Sequence, residues 1–169
     1  MDPVLPDVLA PGLCVVFCGT AAGARSAQVG AYYAGPGNRF WPTLHAVGLT
    51  PVRLQPQQFR EVTRYGIGLT DLAKHAAGSD ASLDRADFDA AALRDKLARF
   101  RPAVLAFTSK RAAREFYRQQ RVDYGWQPHR LDSTRVYVLP SPSGAARRAW
   151  DVTRWQVLAD FVRGLFPDG

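Results

Sequence analysis

At 169 residues the chain is long enough to bury one core and short of what two independent domains need. Its 47% hydrophobic and 22% charged residues, with no apolar run near the ~20 residues that span a bilayer, exclude a membrane-spanning or disordered protein. A formal net charge of +7 favours a polyanionic partner, and nucleic acid comes first among these.

The opening run Met1-Asp2-Pro3-Val4-Leu5-Pro6-Asp7 has an acid where a secretory signal has its basic region, and no apolar stretch follows. The expected compartment is the cytoplasm. Residues 13–18 are short, β-branched and continuous, the pattern of a strand buried on both faces. Cys14 and Cys18 fall at even spacing in that strand, which predicts reduced thiols on one face. Gly19 and Gly23 then let the backbone turn and bring its N–H groups close to a ligand. After the Pro36-Gly37 turn, residues 38–47 space Phe40, Trp41, Leu44 and Val47 as a helix does, with Asn38 as the expected cap.

Residues 56–62 predict a short helix with proline near its first turn. Residues 65–72, interrupted by Gly66 and Gly68, read as a strand ending or a loop, and 76–86 are polar enough for a mobile loop. Residues 87–100 carry helical spacing that Arg101-Pro102 stops. A second buried strand covers 103–108, and Ser109 caps a helix running through 120. A third strand covers 136–139, and 146–166 form a final amphipathic helix. This alternation predicts one α/β domain, a three-layer α/β/α sandwich with a mainly parallel central sheet.

Ligands of such sheets gather beyond the carboxyl ends of the strands, which singles out the loops 19–38, 68–75 and 140–148. The sequence holds no phosphate loop, dinucleotide fingerprint or zinc-ligand spacing, so neither a cofactor nor a metal is expected. His45, His75 and His129 are not spaced for a metal or a nucleophilic triad.

Six segments carry a family likeness: Val15-Val16-Phe17-Cys18-Gly19; Gly37-Asn38-Arg39-Phe40-Trp41; Tyr65-Gly66-Ile67-Gly68-Leu69-Thr70-Asp71; 101–107; 124–129; and 138–147. In order and spacing the chain resembles the mismatch-specific uracil and thymine DNA glycosylases of the uracil-DNA glycosylase superfamily. The resemblance implies a monomeric enzyme that flips uracil out of DNA, or acts at a mismatch, and hydrolyses the N-glycosidic bond to leave an abasic site.

It also implies roles for particular residues. Backbone N–H groups around Gly19, Thr20 and Ala21 hold the base carbonyl, and Tyr33 stacks on the base, with a partly buried core tyrosine as the alternative. Ser26 and Gln28 contact sugar or phosphate. Ser141, Ser143 and Gly144 meet the backbone, Arg147 or Arg148 fills the gap left by the flipped nucleotide, and a helix starting near Ala146 points its positive end at DNA. The family's first motif reads Gly-Ile-Asn-Pro-Gly, whose asparagine orients the water; here Gly19-Thr20-Ala21-Ala22-Gly23 has no such group. Cleavage needs a negative group near the sugar and a placed water, so the carboxylate of Asp71 is the first candidate for catalysis and for base contact, ahead of Asp123 and Asp132. The alternative for Asp71 is a helix cap. The lost asparagine leaves two further readings, a glycosylase for another deaminated base such as hypoxanthine, and a weakly catalytic protein that binds uracil or abasic sites.

Overall fold

The computed structural model describes residues 2–166. Its sheet has five strands, β1 (Val15–Gly19), β2 (Ile67–Asp71), β3 (Val104–Phe107), β4 (Gly125–Trp126) and β5 (Arg135–Val138), in the order β2-β1-β3-β5-β4. Four run parallel; β4 pairs antiparallel at the edge, through Trp126 opposite Tyr137.

Side chains alternate across the strands and feed two cores. Val15, Phe17, Ile67, Leu69, Val104, Ala106 and Tyr137 face α2 (Phe40–Ala46), a 3-10 helix (Pro56–Tyr65) and α5 (Val152–Arg163). Val16, Cys18, Leu105, Phe107, Val136 and Val138 face α3 (Ala90–Phe100) and α4 (Lys110–Tyr117). The result is a single α/β/α sandwich with a mainly parallel sheet. The chain leaves β1 toward one face and β3 toward the other, which makes the region beyond their carboxyl ends the switch point where sheets of this kind hold a ligand crevice. No helix among the described residues is long and apolar enough to cross a membrane.

Several local expectations change. Residues 67–71 are a full strand, each residue buried. A Cβ at Gly68 would stand 2.8 Å from the Val8 carbonyl oxygen, because the N-terminal segment pairs with the outer edge of β2 through Val8 and Leu69. Cys14 and Cys18 do not share a face. The strand begins at Val15, and Cys14, just ahead of it, packs on the first core while Cys18 lies in the second.

The last helix starts at Val152 rather than near Ala146, because the Asp151 carboxylate caps it by accepting from the Thr153 N–H. Residues 76–86 are not loose. Gly78 N–H donates to the Ala22 carbonyl, Arg111 Nη1 donates to the Asp80 carbonyl, and Leu83 is buried. Two elements had no clear signal in the sequence, α1 (Ala24–Val29) and the two-residue β4.

Candidate active site at the carboxyl edge of the sheet

Asp71 ends β2 beside Gly19, its register partner at the end of β1. A methyl group built on Gly19 would lie 3.0 Å from Asp71 Oδ1, 3.4 Å from Thr108 Oγ1 and 3.5 Å from Tyr33 Oη. Three oxygens therefore close in on Gly19, and any side chain there would crowd them. The floor of the crevice is polar in an otherwise apolar setting, the combination that fixes a small ligand in one orientation.

The Asp71 carboxyl is buried, with 6% of the residue exposed, and it caps no helix. Burial pushes its pKa up to about 6; the cations of Lys74 and Lys96 oppose that rise and the Asp7 carboxylate adds to it. No hydrogen bond from the described residues contributes to holding the carboxylate. A buried acid with spare lone pairs is poised to accept a proton or a hydrogen bond from a ligand.

Tyr33 reaches the same floor from the turn after α1. Its backbone is left-handed, φ 53°, a conformation costly for a non-glycine residue. Neighbours on both sides enforce it: Ala34 N–H donates to Ser26 Oγ at 2.9 Å, and Trp41 Nε1 donates to the Tyr32 carbonyl at 2.9 Å. The Tyr33 ring stacks on Phe40 with centroids 3.9 Å apart, and its hydroxyl pairs with Thr108 Oγ1 at 3.1 Å. Asn38 sets up this support by accepting the Phe40 N–H in a local turn; the helix N-cap is Arg39, one residue later than expected, and no side chain caps it. Tyr33 is partly buried and packed against the core, which fits the core-tyrosine alternative and leaves part of the residue at the surface.

Thr108, just past β3, had no signal in the sequence. Its hydroxyl becomes meaningful only once β3 lies beside β1. Thr108→Val leaves the Tyr33 hydroxyl without its partner, with an expected loss of about 1–2 kcal/mol in denaturant unfolding. Adding Tyr33→Phe to that variant recovers part of the loss, and a double-mutant cycle measures the coupling.

The remaining residues of the first loop divide into two groups. Thr20 turns its side chain away, donating from Oγ1 to Asp80 Oδ1 at 2.8 Å, while its N–H has no backbone acceptor among the described residues. Ser26 corrects an expectation: it is buried and its oxygen holds the Ala34 N–H, so it shapes the Tyr33 turn instead of facing a phosphate. Gln28 is exposed on α1, where Arg25 donates to it.

The third loop packs directly on the Gly35–Arg39 backbone. Arg39 N–H donates to the Pro142 carbonyl at 2.8 Å and its guanidinium donates to the Ser143 carbonyl at 3.3 Å while lying over the Trp150 ring. Gly144 is pressed so closely that a Cβ would meet the Pro36 oxygen at 2.5 Å. Ser141 Oγ accepts the Ser143 N–H, and Ser143 Oγ accepts the Ala145 N–H, which leaves both hydroxyl protons to donate. Arg147 and Arg148 are exposed on the turn that follows, Arg147 with its Nε held by the Gly144 carbonyl. Asp123 and Asp132 are exposed loop acids that take no part in these contacts, and His75 is an exposed histidine bonded to the Asp2 carbonyl. No cluster of three or more potential metal ligands occurs among the described residues.

Comparison with known proteins agrees with this architecture. The fold matches the solution structure of a protein from Methanosarcina acetivorans described as a candidate uracil DNA glycosylase, with a TM-score of 0.66, 21% identity, and coverage of 95% of this chain and 96% of that one. The family model described as the uracil DNA glycosylase superfamily matches residues 6–161, and with nearly the whole chain inside that match, the protein belongs to the uracil DNA glycosylase superfamily.

Proposed function

We propose that the protein is a DNA glycosylase that flips uracil from DNA into the crevice between β1 and β3 and hydrolyses its N-glycosidic bond. The observation that carries this reading is the buried carboxylate of Asp71, with no hydrogen bond from the described residues, gathered with the Thr108 and Tyr33 hydroxyls around Gly19. A flipped pyrimidine lies along the Tyr33 ring with its O2 on the Thr20 N–H, where negative charge develops as the base departs. Ionised Asp71 offsets the positive charge growing on the sugar and takes a proton from the attacking water or a hydrogen bond from the base. Ser141 and Ser143 hold phosphate, and Arg147 and Arg148 brace the vacated stack, acting as a monomer on one lesion.

Ala21 replaces the family's usual water-orienting asparagine, so the carboxylate of Asp71 bears the chemical step. The same replacement favours a second reading, in which the preferred base is hypoxanthine. A duplex carrying one uracil, incubated with the protein and treated with alkali, breaks at the uracil if the base is excised. Parallel U·G, U·A, T·G and inosine duplexes assign the base. Retention of the uracil duplex without breakage makes the protein a binder and overturns the enzymatic reading. Binding weakens as salt rises because phosphate contacts release counterions, and salt-insensitive affinity contradicts the phosphate contacts.

A further inference from the structure

A second cluster of charged groups lies behind the pocket, on the outer edge of β2. Asp7, on the N-terminal segment that pairs with this edge, accepts three hydrogen bonds: from Thr70 Oγ1 at 2.6 Å, from Lys74 Nζ at 2.9 Å and from Lys96 Nζ of α3 at 2.7 Å. Lys74 Nζ also donates to Tyr32 Oη at 3.1 Å, and Tyr32 Oη donates to the Pro6 carbonyl at 2.9 Å.

We propose that Asp7, Lys74 and Lys96 form a positioning cluster for the pocket, one that sets the place and the charge state of the Asp71 carboxylate and steadies the Tyr33 turn. The inference rests on the glycosylase reading of Asp71. Its first support is connectivity. Thr70 immediately precedes Asp71 and Tyr32 immediately precedes Tyr33, so each pocket residue has its chain neighbour bonded into one network. The Tyr32 and Tyr33 rings also touch, with centroids 6.2 Å apart.

The second support is charge balance. Lys74 beyond β2, Asp7 on the edge segment and Lys96 on α3 act on Asp71, and Asp71 in turn acts on Cys18 of β1, on Tyr32 and on Tyr33. Burial pushes Cys18, Tyr32 and Tyr33 upward, so all three stay neutral at physiological pH. Two lysines and Asp7 remain, a cluster with one spare positive charge, and ionised Asp71 balances it. Asp7 stays ionised there: burial raises its pKa, but the Lys74 charge and the hydrogen bonds from Lys96, Thr70 and Lys74 outweigh burial and hold it below the ordinary carboxylate range.

The cluster therefore makes predictions of opposite sign. Lys74→Met removes the spare charge, so Asp71 ionises at higher pH and the acid limb of single-turnover excision moves up by ~1 pH unit. Asp7→Asn leaves both lysines facing Asp71, and the limb moves down by a similar ~1 pH unit. Lys74→Arg keeps the charge and returns the limb to its original place. Lys96→Met, which leaves the Tyr32 contact intact, shifts the limb in the same direction as Lys74→Met and serves if that variant folds poorly by thermal melting. A merely structural cluster lowers the rate at every pH and moves no limb; that result, or shifts of the same sign for Lys74→Met and Asp7→Asn, overturns the proposal. Should Asp71→Asn excise normally, or the parent protein not excise at all, it is the glycosylase reading that fails instead.

Discussion

Asp71→Asn lowers single-turnover excision of uracil by about 10²–10³-fold, the range for loss of a positioned acid or base, while the protein becomes more stable. The amide keeps the size of the carboxylate and its acceptor oxygen, so capture of the base survives. It can neither take a proton nor carry charge. The stability gain follows from the direction of the pKa shift. With a native value of about 6 against 3.8 for a free carboxyl, the folded state binds more protons than the unfolded chain between those values. This residue's contribution to stability therefore falls as pH rises from about 4 to 6, and at neutral pH the buried charge costs up to ~3 kcal/mol. Asparagine removes that penalty, so melting temperatures of the two proteins diverge at pH 7 and converge near pH 4. Unchanged excision in the variant removes Asp71 from the chemical step, and equal melting at both pH values shows that its ionisation carries no folding penalty.

Gly144→Ala separates two loops that the pocket needs together. Its Cβ would fall 2.5 Å from the Pro36 oxygen and 3.3 Å from Gly37 Cα, both backbone atoms with no side-chain freedom to yield. The Ser141–Gly144 backbone must lift from Gly35–Arg39, stretching the Arg39-to-Pro142 bond and the Arg39 contact with Ser143. An expected destabilisation of about 1–3 kcal/mol comes with at least a tenfold drop in kcat/KM on a uracil duplex, because the serines leave their places relative to the floor. Denaturant unfolding and a steady-state assay read the two effects separately. Normal stability and activity together contradict the close packing of these loops.

The central strands were legible because Val15–Gly19 and Val104–Phe107 are buried on both faces and so are continuously apolar. Strand β2 was obscured by its own packing. Gly68, the residue that made it read as a loop, is there because the Val8 backbone crosses that point, a contact between segments about sixty residues apart. The final helix was begun too early because Ala145-Ala146-Arg147-Arg148 are good helix formers, whereas the Asp151 cap fixes the true start. Asp71 and Tyr33 could be singled out by chemistry and family likeness. Thr108 and Asp7 could not, since an ordinary threonine and an ordinary surface-type acid acquire a role only from what the sheet and its edge segment bring beside them.

On the proposed reading the base carbonyl is held by the amide of residue 20, whose side chain is tied off to Asp80. No substitution other than proline deletes a main-chain proton donor, so a side-chain change at residue 20 or 21 leaves that contact in place. On that reading, affinity and turnover are separable traits, since the amide that holds the base is not the group that does the chemistry.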